Sequence, residues 1–336
     1  MPKILVIRFS SIGDIVLASP VLRCLKKQLE NAEVHFVTKT SFKIVTASNP
    51  YIDKFFYYDK DIAPLIDELK KENYDYVIDL HNNFRSNKIK RALKKKSYTI
   101  DKLNIQKFLL TKLNIDIMPH IHITQRSLNT VAALKVFDDG LGLDYFIPKE
   151  DIVSHKDLPH SHYHGFIAIV IGANYFTKKL PVHKLQELCY KIDHPIVLLG
   201  GKEDAAAGAE IASLDPIKIY NACGKFNLNE SADLVRQSKF VISHDTGLQY
   251  IACALQKPVL AIWGGTSPRL DVEPYYGKLF MQKQTTPIYE NIVLNLRCQP
   301  CSKFGTHTCP LDHFNCMEKQ DIDALVRKVN LKLEKK

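Results

Sequence analysis

The chain has 336 residues, 46% of them apolar and 24% charged, with a net charge of +10. That balance excludes a disordered chain, and no apolar run reaches the roughly 18–20 residues that a membrane-crossing helix needs. Seven of the ten net positive charges fall in residues 1–150, a bias that attracts phosphates, an anionic membrane face or nucleic acid without choosing among them. The opening "MPKILVIRFSSIGD" has only a short apolar run and no small-residue cleavage site, so no signal peptide is expected and the protein is assigned to the cytoplasm.

Single hydrophobic cores stop growing near about 250–300 residues, so two domains are expected. In chain order, "KILVIRF" (Lys3–Phe9), "EVHFVT" (Glu33–Thr38), "KFFYYD" (Lys54–Asp59) and "YDYVIDL" (Tyr74–Leu80) read as buried strands. Amphipathic stretches at Pro20–Leu29 and Ile62–Glu72 lie between them, and Ser127–Phe137 reads as a further helix. Residues 138–165 are rich in Gly, Pro, His and charge and read as a linker. The alternation then restarts. Strands are expected at Gly165–Gly172, Pro195–Gly201, Lys239–Asp245 and Pro258–Gly264, with helices at Val182–Ile192, Asp204–Ser213 and Thr246–Leu255. The tail carries Ile322, Leu325, Val326 and Val329 at helical spacing.

Continuous apolar strands separated by helices imply parallel sheets covered on both faces. The expected class is α/β, with two Rossmann-like doubly wound domains facing across a cleft. The first spans 1–150, the second 163–318, and 319–336 forms a C-terminal helix.

Open α/β sheets bind ligands beyond the carboxyl ends of their strands, and two strand-end motifs stand there. In "VISHDTGLQYIACAL" (Val241–Leu255) a strand stops at His244-Asp245 and a helix starts with Thr246-Gly247. Helix-start amides and the dipole make an anion site, and Gly247 permits close approach. The plainer reading is that Asp245 caps the helix. After "RFSSIGD" (Arg8–Asp14), Ser19-Pro20 looks like the start of the following helix, which leaves Ser10–Asp14 as a tight loop with one irregular turn. Asp14 then stands in a cleft beside Ile12, Ile15 and Val16, where desolvation is expected to raise its proton affinity. Its plainer reading is again a turn or cap residue.

These residues carry a resemblance. "ILVIRFSSIGDIVLASPVLRCLK" (Ile4–Lys26), "YDYVIDLHNNFRS" (Tyr74–Ser86), "GANYFTKKLPVHKLQEL" (Gly172–Leu188) and Asn221–Pro268, which contains "SHDTG", resemble the family 9 glycosyltransferases, the lipopolysaccharide heptosyltransferases. The resemblance implies a GT-B fold, an inverting transfer from a nucleotide-sugar donor, ADP-heptose first, and a lipid-linked saccharide acceptor. It implies Asp14 as general base. It assigns the donor to Lys178, Gly200, Gly201, Asp245, Thr246 and Gly247, with Lys179 competing for the role of Lys178. It assigns the acceptor to Ser10, Ser11, Gly13, His81 and Arg85. The family often has Gln at the place of His81 and His or Leu at that of Tyr250, which leaves the particular sugar and acceptor open. No cofactor is implied for the chemistry.

Two features stand apart. "RSNKIKRALKKK" (Arg85–Lys96) places Lys88, Arg91 and Lys95 at helical spacing. It reads as a solvated face or as a dock for the anionic inner face of the cytoplasmic membrane; without interleaved aromatics, nucleic acid is not expected. Cys298, Cys301, Cys309 and Cys316 follow C-x2-C-x7-C-x6-C, which suits structural zinc or a set of reduced thiols. Two other functions fit the same scaffold: a sugar-nucleotide epimerase, and a non-catalytic sugar-nucleotide-binding protein.

Overall fold

The structure is a computed structural model that describes residues 1–334. The chain divides into two compact units. The first comprises Met1–Leu103, Ile121–Phe146 and Tyr275–Lys283, and the second Asn104–His120, Ile147–Pro274 and Gln284–Lys336. Residues 104–120 and 275–283 therefore each belong to the unit that their sequence neighbours do not.

The first unit begins with β1 (Lys3–Ile7), α1 (Ile12–Leu17), α2 (Ser19–Gln28), β2 (Glu33–Lys39) and α3 (Lys43–Thr46). It continues with β3 (Lys54–Tyr58), α4 (Ala63–Lys71), β4 (Tyr76–Asp79), α5 (Phe84–Leu93) and β5 (Lys96–Thr99). After α6 (Asn104–Leu113), which belongs to the second unit, α7 (Ile123–Asn129) returns to the first. All five strands are parallel, in the order β3-β2-β1-β4-β5.

Side chains on a strand alternate between faces, and here both faces are buried. Ile4 and Val6 pack with Val34, Phe36 and Ile78 in one cluster. Leu5 and Ile7 pack with Val37, Phe56 and Val77 in another. A strand so flanked must be apolar at every position, which is why "ILVI" shows no alternation.

In the second unit, β6 (Ile167–Val170), α8 (Val182–Lys191), β7 (Ile196–Leu199), α9 (Ala205–Ala212) and β8 (Ile219–Asn221) precede α10 (Leu228–Gln237). There follow β9 (Val241–His244), α11 (Gly247–Ala254) and β10 (Val259–Ile262), then, after α12 (Lys278–Met281), which belongs to the first unit, β11 (Tyr289–Ile292), α13 (Asn315–Glu318) and α14 (Ile322–Glu334). The parallel sheet runs β11-β10-β9-β6-β7-β8. Read from β8 inward, this is the 3-2-1-4-5-6 order of a dinucleotide-binding fold. Ile322, Leu325 and Val329 of α14 join the core of this unit beside Leu185 and Leu188 of α8. Each such fully buried aliphatic side chain contributes about 1.5–3 kcal/mol. The last two residues of the expected C-terminal helix lie outside the described residues.

All eight expected strands are present, and three short ones, β5, β8 and β11, join the sheet edges. The helix expected at Ser127–Phe137 is instead α7, which starts earlier and gives way to a 3-10 turn at Ala132–Leu134. The stretch read as a linker is firmly held at its start. Arg23, 2% exposed, donates to both carboxylate oxygens of Asp139 at 2.8 Å and to the Gly142 carbonyl at 2.8 Å, and pairs with Asp144. Gly142 and Gly277 face each other with φ of +83° and +81°, and a Cβ on Gly277 would stand 2.2 Å from the Gly142 nitrogen. Among the described residues no helix is long and apolar enough to cross a membrane.

Candidate active site

In each unit the strand order reverses at one point, beside β1 in the first sheet and beside β6 in the second. Loops leaving the carboxyl ends on either side of such a point splay apart and leave a crevice. Both strand-end motifs lie there: "SSIGD" follows β1, and "DTG" follows β9, the neighbour of β6.

In the first unit the segment expected to be a tight loop, Ser10–Asp14, is instead the start of a helix. Helix α1 already starts at Ile12, with Ser11 as its N-cap. Asp14 sits in the first turn, and its Oδ2 accepts from the Ser11 amide at 3.0 Å and the Ser11 hydroxyl at 2.8 Å. Its Oδ1 lies 2.6 Å from Nη2 of Arg8. Arg8 also donates through Nε to the Ser10 carbonyl at 2.9 Å and through Nη1 to the Leu80 carbonyl. One guanidinium thus ties the ends of β1 and β4 to the carboxylate.

The expectation that desolvation raises Asp14's proton affinity is overturned. Burial pushes its pKa up, but the Arg8 charge and the Ser11 hydrogen bonds outweigh it and hold the carboxyl below the usual carboxylate range. Asp14 is therefore an anion at neutral pH, with its side chain 36% exposed.

His81 stands beside it, its ring 4.8 Å from Phe9. Burial, then the Arg8 and Lys102 charges, push its pKa down to about 4 while Asp14 pulls the other way, so the imidazole is neutral at pH 7. Its Nδ1 is buried without a hydrogen-bond partner. Phe9 also meets Tyr58 edge-on at 5.0 Å, and burial raises the Tyr58 hydroxyl's pKa against the opposing charge of Arg85. Ser10, Ser11, Gly13, Asp14, His81 and Arg85 are thus gathered at the carboxyl edge of β1, β3 and β4. Arg8 was not singled out in the sequence, although a strand-end arginine ahead of Ser-x-x-Asp is the signal that locates it.

The second unit brings Lys178 and Asp245 together. Lys178 Nζ is 2.6 Å from Asp245 Oδ2, with the side chains 15% and 10% exposed. The Thr266 hydroxyl donates to the same oxygen at 2.9 Å. The Tyr250 hydroxyl donates to the Val272 carbonyl at 2.7 Å and lies 3.2 Å from Asp245 Oδ1. Asp245 therefore spends its carboxylate on an ion pair. Thr246, not Asp245, is the N-cap of α11, and its hydroxyl is buried without a partner. Next to it His244 accepts the Leu180 amide on Nε2 at 2.9 Å, so its proton belongs on Nδ1. Burial, with Lys179 and Lys178 nearby, drops its pKa to about 3, which keeps it neutral.

The competing lysine goes elsewhere: Lys179 pairs with Asp204 at 3.2 Å. Asp204 Oδ2 also accepts the Gly201 amide at 3.0 Å. A Cβ on Gly172 would stand 2.3 Å from that oxygen, and one on Gly200 only 2.9 Å from it. Gly200 and Gly201 are thus bound to the loop after β6 through one buried carboxylate.

Cys298, Cys301, Cys309 and Cys316 line a single cavity of about 20 Å³ together with His313. The Cys298 sulfur is 3.9 Å from His313 Nε2. The thiols are loosely grouped: among the described residues the set of His, Cys, Asp and Glu ligand atoms lying within 4.8 Å of one another is Glu33, His35 and Glu72. That set already surrounds Lys3, which pairs with Glu33 at 3.2 Å and Glu72 at 3.1 Å, so it is a salt network.

The basic run is not one helical face. Helix α5 ends at Leu93, with Lys94 left-handed at φ 52°, and Lys96 opens β5, so Lys95 does not share a helix with Lys88 and Arg91. Lys90 turns inward to the fully buried Asp79 at 2.9 Å. Asp79 in turn accepts the His81 and Asn82 amides at 3.0 and 2.7 Å, shaping the loop that carries His81.

Comparison with known proteins bears on the family and the fold. Residues 62–304 match the model of glycosyltransferase family 9 (heptosyltransferase). Lipopolysaccharide heptosyltransferase 1 of Campylobacter coli is 27% identical over 289 residues, covering 79% of this chain and 84% of that one. The structure resembles the ADP-heptose lipopolysaccharide heptosyltransferase II of E. coli, with a TM-score of 0.69 at 18% identity over 98% of both chains. It also resembles the E. coli heptosyltransferase WaaC solved with ADP, with a TM-score of 0.67 at 18% identity over 98% and 99% of the two chains. With the two parallel sheets of the GT-B heptosyltransferases and the family's sequence over most of its length, the chain belongs to glycosyltransferase family 9 and is a glycosyltransferase.

Proposed function

We propose that this enzyme transfers a heptose from ADP-heptose to a lipopolysaccharide core acceptor, with inversion at the anomeric carbon and Asp14 as general base. The observation that carries the reading is the Asp14 carboxylate, kept anionic by Arg8 at the carboxyl edge of the first sheet. Asp14 takes the proton of an acceptor hydroxyl. The freed oxygen electron pair forms the bond to the anomeric carbon from the face opposite the diphosphate. The carbon–oxygen bond to phosphate breaks, and the diphosphate leaves with that electron pair. One such displacement inverts the centre and needs no second carboxylate. Arg8 makes Asp14 a weak base, so an acceptor that draws the guanidinium away strengthens the base where the proton is taken.

The leaving diphosphate gains charge, and Lys178 with the first amides of α11 suits that charge. The ion pair with Asp245 holds Lys178 in place before the donor arrives, and a diphosphate competes with that carboxylate for the ammonium. Thr246 adds a hydroxyl that has no partner of its own.

The test is ADP release from ADP-heptose with and without a heptose-deficient lipopolysaccharide core. Release that requires the acceptor, with a heptosylated product of inverted configuration, supports the proposal. Conversion of the donor alone would mark an epimerase, and binding without release in any acceptor mixture would mark a non-catalytic protein.

We further propose that Cys298, Cys301, Cys309 and Cys316, which line one cavity with His313, draw together around one structural metal ion, zinc first. Elemental analysis of the purified protein tests this. About one zinc per chain, lost in Cys301→Ser, is expected; a metal-free protein whose melting is unmoved by added zinc would end the idea. The exposed Lys88, Arg91, Lys94, Lys95 and Lys96 suit peripheral contact with the anionic inner membrane.

A further inference from the structure

Helix α6 wears its apolar residues outward. On a helix, positions three and four apart share a face. The buried residue of α6 is Leu110, whereas Ile105, Phe108 and Leu113 are 72%, 54% and 57% exposed. The chain beyond the helix continues the pattern, with Ile115 and Ile117 49% and 53% exposed. Phe304, 67% exposed, stands close by, because its neighbour Lys303 reaches Asn104 at the start of α6, 3.3 Å away.

Folding alone does not leave so many large apolar side chains together in water, and a contiguous exposed patch marks an interaction surface. Lysines are interleaved with the apolar residues: Lys112 is exposed in α6, Lys303 reaches its first residue, and the one acidic side chain in 104–120, Asp116, is engaged by Arg269 at 2.9 Å. A protein partner's interface is depleted in lysine. Apolar side chains interleaved with lysines are instead the make-up of segments that lie in the headgroup boundary of a bilayer.

We propose that residues 104–117 with Phe304 form an interfacial membrane anchor. Ile105, Phe108, Leu113, Ile115 and Ile117 enter the acyl boundary of an anionic bilayer, and Lys112 and Lys303 meet its phosphates. This deepens the reading of a lipid-linked acceptor by naming where the chain meets the lipid, but its test needs neither donor nor acceptor and so stands or falls separately.

The measurement is partition of the full chain onto vesicles of phosphatidylglycerol and phosphatidylcholine, against phosphatidylcholine alone. Binding to the anionic vesicles, weakened by salt, is expected. Ile105→Asp and Phe108→Asp should each lower the partition coefficient about tenfold or more, and Lys112→Glu should lower it on anionic vesicles only, all three melting as the parent does. Phe108→Trp keeps the apolar side chain and should show a blue-shifted emission component on vesicles, against the background of the fully buried Trp263. Absence of vesicle binding, aspartate variants that bind like the parent, or aspartate variants that only convert a dimer to a monomer would each overturn the proposal, the last because the face would then join two copies of this chain.

Discussion

Replacing Lys178 by Met tests the second constellation in depth. The Lys178 ammonium is 2.6 Å from Asp245, and both side chains are largely withdrawn from water. Breaking a buried pair by removing one partner costs about 3–5 kcal/mol, because the other charge stays behind. Thr266 still donates to Asp245 after the change, so the loss belongs near the low end, about 3 kcal/mol. Removing the stranded charge as well, in Lys178→Met with Asp245→Asn, should recover most of that loss in urea unfolding. Donor binding should not recover. A charge-assisted hydrogen bond to phosphate is worth about 1.5–3 kcal/mol, so both the single and the double variant should bind ADP about 10–150-fold more weakly. A single variant within about 0.5 kcal/mol of the parent, with ADP affinity unchanged, would refute both the pairing and the phosphate role.

Three other perturbations follow from the first unit. Arg8→Met should move the acid limb of kcat/KM to higher pH, because Arg8 holds the Asp14 carboxyl below its ordinary range. The stability tied to that depressed pKa is present above the unfolded carboxyl's value, about 3.9, and is lost as pH falls through the folded one. The variant should therefore lose stability at neutral pH and show a flatter acid profile in chemical unfolding. Arg23→Met strands Asp139 and Asp144 without their shared cation; a loss of about 3–5 kcal/mol is expected, and Arg23→Lys should restore only part of it, because an ammonium does not reproduce the paired donation to Asp139. Gly277→Ala forces a side chain into the left-handed region and onto the backbone of Gly142; unfolding should show a loss of about 2–5 kcal/mol, the sum of the two penalties.

Much of this was readable from residue order. Strands buried on both faces leave an uninterrupted apolar run, so "ILVI", "YVID", "IAIV" and "IVLL" declare themselves. The edge strands do not. "KSYT" is mostly exposed and lies at the end of a lysine run, so β5 looked like the continuation of a helix. The stop of α5 at a left-handed lysine has no residue signature, since Gly or Asn is the usual choice there. Helix α6 escaped because its exposed face is the apolar one, so burial and periodicity disagree.

The site was legible in position and not in electrostatics. Ser11 and Asp14 are spaced as an N-cap and its third helical residue, and that signature forecasts the helix start that a loop reading missed. The sign of the Asp14 shift rests on Arg8, six residues earlier, reaching back across the strand end. Arg23's partners lie more than a hundred residues away in a stretch that looked like a tether, and pairings of that range leave no local trace.

The central claim is that the Asp14 carboxylate takes the acceptor's proton. Asp14→Asn keeps the side chain's shape and removes the base. Single-turnover transfer from preloaded ADP-heptose to a heptose-deficient lipopolysaccharide core measures that step alone. A fall of about 10²–10⁴-fold in rate with ADP-heptose affinity retained is the predicted result; transfer at the parent's rate would contradict the account.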